Sequence, residues 1–419
     1  MCFVKIVSLP RRSYEIIVSY LFIFRFPIDI MKSSIFFLLV IFFLSSCVTS
    51  PSEHQTPNVD TKSWILSGFE KKDSVNPILH PSDTMTFICP ITGKEIRWEE
   101  RNVLNPSAIV KNNKVYLFYR AQDAQGTSRI GLAVSEDGLH FEKNLHPVFF
   151  PEQDSMKLYE WNYKKQLGEP LDEDCVSCYF DGTEDPRIIE SEDGTYIMTY
   201  TAYDGKKARL SLATSKDLLN WTKHGLVIKD DSFKDLWSKS GAIVTQLKNN
   251  KMLGVKINGY YWMYFGDTSL FMAFSKDLIH WELAYNEENG KMIEVLHPRP
   301  GYFDSRLVEP GPYAILKEDG ILLIYNGSNA SNLNDPNLPK YTYAAGQALF
   351  DKNIPYKLID RTDDYFLFPE KDYEMVGEVN NVCFVEGLVL FKNKWFLYYG
   401  TGDSKIAVAV SESNTIINN

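Results

Sequence analysis

Cysteine is scarce in this chain, and no cysteine has the partners of a metal site. The sequence has 6 cysteines among 419 residues, and Cys2 and Cys47 lie near the N-terminus. Cys175 and Cys178 have the C-x-x-C spacing, but no second pair and no nearby histidine completes a zinc site. We therefore expect neither a metal nor a cofactor. For the C-x-x-C pair, a local disulfide in an oxidising compartment and two free thiols both stay open.

Two further absences concern the body of the chain. No stretch rich in Pro, Ser or Gly interrupts residues 100–410, which favours one domain. No long helical periodicity follows residue 80, which argues against an α/β barrel. The formal net charge is −10, so a nucleic-acid-binding surface is not expected.

The N-terminal region contains one apolar run, residues 35–44. The run follows Met31 and Lys32, is too short to span a bilayer comfortably, and ends at small residues before Cys47. This order of features is typical of a secretory signal. The ending Leu44-Ser-Ser-Cys resembles a bacterial lipobox, in which the cysteine is acylated and becomes the mature N-terminus.

These features predict the domain boundaries and the location. We expect residues 1–47 to be a lipoprotein signal, with the true start at Met31, and residues 48–80 to be a tether. Residues 81–419 would then form the folded domain. A lipid on Cys47 would hold the protein at a membrane of the bacterial cell envelope, and an ordinary membrane anchor is the alternative.

One sequence pattern occurs three times, each time as Ser-x-Asp-x-x-x followed by an aromatic residue. Each copy comes after a segment that opens with a polar residue and continues into strands rich in aromatic and β-branched residues. Five such openings can be aligned, and their uneven spacing is typical of a common strand core with loops of different length. The openings are Asn105, Asp185, Ser240, Glu309 and Asn381.

Five units of about four strands each predict an all-β fold, a single five-bladed β-propeller. In such a fold the innermost strand of every blade lines a central channel. Side chains at the five openings would therefore converge, although they lie far apart in the sequence. The predicted active site lies in that channel.

The strongest local motif is Gly182-Thr-Glu-Asp-Pro-Arg187. A Gly-x-Glu-Asp-Pro-Arg motif at a blade opening resembles the β-mannoside phosphorylase and hydrolase family, glycoside hydrolase family 130. Similar stretches follow the family's order between about residue 95 and residue 410. They are Asn105-Pro-Ser-Ala, Tyr119-Arg-Ala-Gln-Asp123, Arg299-Pro-Gly-Tyr-Phe-Asp-Ser305, Tyr325-Asn-Gly327 and Tyr399-Gly-Thr-Gly-Asp403. The resemblance implies a five-bladed propeller that acts on β-linked mannose with inversion at the anomeric carbon.

The resemblance makes Asp185 the general acid, which protonates the leaving oxygen through a hydroxyl of the bound mannose. We expect the neighbouring charge of Glu184 to raise the pKa of Asp185, while Arg187 offsets this effect or orients the carboxylate. A strand-opening turn with a surface ion pair is the alternative for this motif. The resemblance also implies that several residues bind substrate, since carboxylates and guanidinium groups fix pairs of sugar hydroxyls. They are Asn105, Arg120, Asp123, Arg187, Lys239, Tyr325, Asn326 and Asp403.

Two departures from the family pattern concern phosphate. Phosphorylases of the family hold phosphate with cationic side chains, including a histidine in a Tyr-His-Gly element, and Asn326 stands at that position here. Glu309 lies in a stretch that is rich in glycine and proline in the phosphorylases, although Lys239 keeps a cation beside Ser240. A carboxylate repels phosphate, and an inverting hydrolase needs one to activate water, ~6.5–9.5 Å from the acid.

We therefore predict that Glu309 is the general base, with a rim or turn carboxylate as the alternative. Asp267 is a candidate for a second carboxylate that positions water, or it caps the following turn. The predicted activity is that of an exported, inverting exo-β-mannosidase acting on manno-oligosaccharides, with β-1,2 linkages expected.

Three other functions stay open. One is a mannoside phosphorylase that releases mannose 1-phosphate, although phosphorolysis saves energy only where the sugar phosphate stays in the cytoplasm. Another is a glycan-binding lipoprotein without activity, although binding alone does not require opposed acids. A third is a five-bladed glycosidase of another type, which would place an acid at the first opening, where Asn105 stands. The sequence does not indicate the oligomeric state.

Overall fold

The computed structural model of the protein describes residues 62–168, 173–230, 233 and 235–412. The expected signal segment 1–47, with Cys47, lies outside these residues. The described part of the chain is all-β, as the sequence predicts, and its helices are short. None of the helices described there has the length and the apolar character needed to cross a membrane.

The strands before residue 144 form a small hairpin and the first large sheet, except β1, which pairs with the last strand of the chain. They are β1 (Phe69–Lys71), β2 (Ser82–Ile88), β3 (Glu95–Glu99), β4 (Asn102–Lys111), β5 (Lys114–Gln122), β6 (Thr127–Ser135) and β7 (Glu142–Lys143). β2 pairs with β3. β4, β5, β6 and β7 form an antiparallel sheet in chain order.

Two further sheets lie between residues 181 and 296. Their strands are β8 (Asp181–Glu190), β9 (Tyr196–Tyr203), β10 (Ala208–Ser215), β11 (Thr222–Leu226), β12 (Ala242–Lys248), β13 (Lys251–Gly254), β14 (Tyr261–Phe265), β15 (Leu270–Ser275), β16 (Trp281–Leu283) and β17 (Glu294–Leu296). β8 to β11 form the second sheet in chain order. β12, β14, β15 and β16 form the third, to which β13 and β17 add short pairings.

The last strands form the fourth and fifth sheets. They are β18 (Leu307–Pro310), β19 (Ala314–Leu316), β20 (Ile321–Ser328), β21 (Tyr343–Phe350), β22 (Leu358–Arg361), β23 (Cys383–Phe391), β24 (Lys394–Thr401) and β25 (Lys405–Ser411). β18 and β19 both pair with β20, which continues through β21 to β22. The fifth sheet has the order β23, β24, β25 and β1.

The strand β1 corrects the expected tether. Residues 48–80 were predicted to lie outside the folded domain, but β1 pairs with the last strand, from Phe69 opposite Ser411 to Lys71 opposite Ala409. Trp64 lies just before β1 and is buried in the core. The folded domain therefore begins before residue 81, because an N-terminal strand completes the last sheet.

The three copies of the Ser-x-Asp pattern build the same turn. In each copy the serine Oγ accepts hydrogen bonds from the backbone N–H groups two and three residues later, and the aspartate Oδ1 does the same. The residue after the aspartate has a positive φ, 80° at Gly138, 75° at Leu218 and 69° at Leu278. The copies therefore mark equivalent turns of the first three sheets.

Apolar side chains are buried between neighbouring sheets. One cluster joins the first and second sheets, including Phe118 and Met198. Another joins the fifth sheet to the first, including Tyr398 and Leu117. The five successive sheets agree with the five predicted units, and their closure as blades around a channel stays a prediction.

Short helices fill the connection between the first and second sheets, and one more precedes the fifth. They are α1 (Lys157–Glu160), α2 (Tyr163–Leu167), a 3-10 segment (Glu173–Tyr179) and α3 (Asp372–Met375). Glu160 is buried, accepts a hydrogen bond from Tyr200 Oη at 2.7 Å and pairs with Lys223, which fastens this connection to the second sheet. Of the two states left open for Cys175 and Cys178, the structure shows the disulfide.

Candidate active site

Four of the five strand openings share an uncommon backbone conformation, and the fourth of them is Asn381, with a φ of 59°. Asn105, Asp185 and Ser240 have φ values of 48°, 50° and 59°, in the left-handed region. The strand register shifts beside Asn105 and beside Asp185. Such a bulge re-aims a side chain out of the regular alternation, and the proline after each of these residues has no N–H that would lose a partner. The repeated openings thus turn their polar groups toward one another.

Asp185 is buried among polar partners from three sheets. The Asn105 side-chain amide donates to Asp185 Oδ1 at 2.8 Å, and Arg120 Nη1 lies 3.3 Å from the same oxygen. Arg120 also donates to Glu184 Oε1 at 2.7 Å. Lys239 Nζ approaches Asp185 Oδ2 at 3.9 Å. The structure therefore brings these predicted residues together at one place.

Lys239 lies between the two carboxylates predicted as acid and base. Its Nζ is 3.2 Å from Glu309 Oε1 and 3.9 Å from Asp185 Oδ2. These two oxygens are therefore no further apart than the sum of 3.2 and 3.9 Å, which is 7.1 Å. The Ser240 hydroxyl donates a hydrogen bond to Glu309, so a second buried carboxylate is held in a fixed orientation beside Asp185.

The pKa of Asp185 is shifted opposite to the prediction. Burial acts to raise it, but the charges of Arg120 and Lys239 and the hydrogen bond from Asn105 outweigh burial and lower it. Burial and the charge of Asp185 instead raise the pKa of Glu184 to about 7, against the opposing charge of Arg120. Of the two carboxyl groups, Glu184 therefore has the higher pKa and binds a proton more readily than Asp185.

Two more carboxyl groups have raised pKa values. For Asp403, removal from water and the charges of Asp185 and Glu309 outweigh the charge of Arg120 and raise the pKa to about 6. For Glu309, burial raises the pKa, and Lys239 opposes it. Clustered acids with raised pKa values are typical of catalytic sites.

Arg187 does not present free donors to the cluster. Its Nε donates to the Gly311 carbonyl at 2.7 Å, and its Nη2 donates to the Pro310 carbonyl at 2.7 Å. Its Nη1 lies 2.7 Å from Glu386 Oε1. Arg187 therefore fixes the backbone next to Glu309 and neutralises a buried acid, although the sequence prediction placed it on substrate.

Glu386 was not found from the sequence. It is 1% exposed, and burial raises its pKa well above the usual range, against the charge of Arg187. The available signal was one acidic residue in the apolar run Cys383–Phe391, shortly after the opening at Asn381. A charge inside an otherwise apolar strand is expected to have a buried partner.

The sequence comparisons identify the family. A family profile described as β-1,4-mannooligosaccharide phosphorylase, glycoside hydrolase family 130, matches residues 71–419. The chain belongs to glycoside hydrolase family 130.

Relatives of this family 130 chain include phosphorylases and hydrolases. It is 31% identical over 339 residues to a β-1,2-mannobiose phosphorylase of Thermoanaerobacter sp. (strain X514), with 77% of this chain and 94% of that protein covered. A solved structure of a putative glycoside hydrolase from Parabacteroides distasonis has 44% identity and a TM-score of 0.78, covering 85% and 99% of the two chains. Another, at 40% identity and a TM-score of 0.77, covers 83% and 94% and is described as showing that this family contains hydrolases of β-1,2 mannosidic linkages in Candida mannan.

Two residues expected to bind substrate lie among buried partners in this family 130 fold. Tyr325 is fully buried, and its hydroxyl donates to Asp304 at 2.8 Å and accepts from Arg361 at 3.0 Å. The Asn326 amide donates to the Val385 carbonyl at 2.9 Å and accepts from the Val385 N–H at 2.8 Å. Asn326 thus joins β20 to β23, and its substrate role stays a prediction.

The remaining predicted residues lie at loop ends. Asp123 accepts hydrogen bonds from the N–H groups of Gln125 and Thr127 and pairs with Arg129 at 2.8 Å, so the structure shows it holding a turn. Asp267 follows β14 and accepts the indole N–H of Trp237 at 2.8 Å. Neither has a described hydrogen bond to the carboxylate cluster.

Proposed function

We propose that this protein is an inverting β-mannosidase that transfers the mannosyl group to water. The observation that carries the proposal is Glu309, a buried carboxylate that Lys239 and Ser240 hold no more than 7.1 Å from Asp185, the sum of 3.2 and 3.9 Å. An inverting pair of acid and base is ~6.5–9.5 Å apart, which leaves room for a water molecule, and 7.1 Å is the largest oxygen–oxygen separation that the two contacts to Lys239 allow. A negative charge at this position disfavours a bound phosphate dianion.

Asp185 and Glu309 have opposite tasks in this reaction. A water between Glu309 and the anomeric carbon loses a proton to Glu309 as it attacks, while the bond from that carbon to the leaving oxygen breaks. The leaving oxygen receives its proton from Asp185, through a sugar hydroxyl. Arg120 and Asn105, which contact Asp185, orient the sugar hydroxyls at this carboxylate.

The proton that Asp185 requires is held nearby in the resting enzyme. The pKa of Glu184 is raised to about 7, and Arg120 contacts both carboxylates. A sugar hydroxyl that accepts a hydrogen bond from Arg120 weakens the contact of this guanidinium with Asp185 and so raises the pKa of that carboxyl. The proton then moves to the acid when substrate is bound.

Replacement of Glu184 by glutamine should move the alkaline limb of the kcat/KM profile to lower pH. Activity requires one proton on the pair and is lost as the pH rises through the raised pKa of about 7 of Glu184. Glutamine does not titrate, so Asp185 is the titrating group that is left in the pair. Because the pKa of Asp185 lies below its usual value, the proton is lost at lower pH. The pH dependence of kcat/KM reports free-enzyme ionisations and measures this shift.

The control for this variant is Glu190→Gln. Glu190 is a buried acid at the other end of β8 and pairs with Lys251. Its replacement should leave the alkaline limb in place. An unchanged limb in Glu184→Gln would contradict the shared proton.

The phosphorylase is the second candidate, because Lys239 supplies a cation at the third opening and a relative is named a β-1,2-mannobiose phosphorylase. Both are tested by incubating the full chain with β-1,2- and β-1,4-mannobiose, with and without phosphate, and following the products by NMR. We expect mannose, first released as the α-anomer, at the same rate in both conditions. Mannose 1-phosphate formed only with phosphate would overturn the hydrolase proposal, and no turnover would favour a binding protein.

We also propose that the five sheets are the blades of a propeller and that the enzyme is a lipoprotein of the bacterial cell envelope. The contact between the fifth and first sheets supports the first proposal. The signal-like residues 35–47 support the second. Mass spectrometry of the mature N-terminus tests the lipid, since a mature chain without an acylated Cys47 would contradict it.

A further inference from the structure

Trp237 is a large apolar side chain left 45% exposed beside the carboxylate cluster. It precedes Lys239 by two residues, and the Lys239 carbonyl accepts the Gly266 N–H at 2.9 Å. Thr268 follows Gly266 by two residues, and its carbonyl accepts the N–H of Val308 in β18 at 3.2 Å. These contacts place Trp237 at the edge of the site that holds Asp185 and Glu309.

The orientation of this indole is fixed by two neighbours. Asp267 accepts the indole N–H at 2.8 Å. The ring of Tyr203 meets Trp237 edge-on, with centroids 6.3 Å apart and an interplanar angle of 69°. A tryptophan whose N–H is satisfied and whose ring is held from one side offers its free face without losing rotamer freedom on binding.

We propose that Trp237 is a stacking platform for a second sugar ring of the substrate and that Asp267 is the residue that positions it. This inference rests on the proposed function. In the proposed reaction the mannose that is released binds at Asp185 and Arg120, so a ring that reaches the partly exposed Trp237 belongs to the next sugar of the oligosaccharide. Asp267 then acts through Trp237 and not on the attacking water.

The apolar face of a sugar ring suits this platform. The C–H groups of a pyranose are apolar while its hydroxyls lie at the edge, as the indole has an apolar face and a polar N–H. Burial of such a face against tryptophan favours binding. Truncation of a central aromatic anchor to alanine commonly weakens binding by at least about tenfold. Tenfold in affinity corresponds to about 1.4 kcal/mol of binding free energy.

The test measures binding of β-1,2-mannotriose by calorimetry to the full chain carrying Asp185→Asn, which separates affinity from turnover. Trp237→Ala in this background should weaken binding about tenfold. Asp267→Leu should do the same, and the two together should add little, since each removes the same platform. Asp267→Asn keeps an acceptor for the indole N–H and should restore most of the affinity.

Tyr356→Ala is the matched control, because Tyr356 is 42% exposed and lies near Trp262 instead. Its replacement should not change binding. Unchanged affinity in Trp237→Ala would overturn the platform. Loss of kcat in Asp267→Asn, in the chain with Asp185 intact and with affinity retained, would make Asp267 a catalytic carboxylate and overturn its positioning role. Failure of the hydrolase proposal changes the products and not these affinities, so the two outcomes are distinguishable.

Discussion

Replacement of Glu309 by glutamine should lower kcat/KM on β-1,2-mannobiose by about 10²–10⁴-fold, the usual contribution of a positioned general base. Glutamine has the same shape and still accepts the hydrogen bond of Ser240. It cannot take a proton from water. The loss should therefore appear in kcat, with KM changing little, and steady-state kinetics measures both.

Azide provides a sharper test of the same residue. Azide attacks the anomeric carbon without a base, so it should restore turnover to Glu309→Gln and yield an α-mannosyl azide, which NMR identifies. Glu190→Gln serves as the matched buried-acid variant and should keep its rate without azide. A Glu309→Gln protein with full activity in water would remove Glu309 as the base.

The strand units could be read from the sequence because each depends on local residues. The Ser-x-Asp turns, the aromatic strands and the polar openings recur with the same neighbours, and the antiparallel pairings form five successive groups of strands in the predicted order. The end of the tether was misplaced because β1 is only three residues long and its partner, β25, lies at the other end of the chain.

The electrostatics of the site could not be read in the same way. The sequence shows Glu184 beside Asp185, which suggests repulsion, but the net effect depends on Arg120 and Lys239, which lie 65 and 54 positions away. Glu386 was missed for the same reason, since its partner Arg187 belongs to another sheet. Residue types were predictable from local motifs, whereas their protonation depends on contacts between distant openings.

The pair of Arg187 and Glu386 should be the most costly to break. Replacement of Arg187 by methionine leaves Glu386 buried without its cation and removes donors from the carbonyls of Pro310 and Gly311. Loss of one partner of a buried pair costs about 3–5 kcal/mol of unfolding free energy. Urea unfolding of the variant and the parent measures this difference.

The two partners of this pair are not equivalent. Burial already raises the pKa of Glu386 well above its usual range, so Glu386→Gln replaces a group that readily becomes neutral, and Arg187 keeps its carbonyl acceptors. We therefore expect Glu386→Gln to cost less stability than Arg187→Met. The double replacement of both residues by methionine should be more stable than Arg187→Met alone, because no buried carboxyl is left without its partner.

Arg101→Met is the comparison for a less buried pair. Arg101 contacts Glu378 at 2.8 Å, with side chains 26% and 32% exposed, and such pairs contribute about 0.2–1 kcal/mol. A cost for Arg187→Met as small as that for Arg101→Met would contradict a structural role for the buried pair. Because Arg187 holds the carbonyls of Pro310 and Gly311, Arg187→Met should also lower kcat more than it raises KM, whereas Arg101→Met should leave kcat in place. Stability and turnover would then fall together, since one guanidinium fixes both the buried acid and the backbone that carries Glu309.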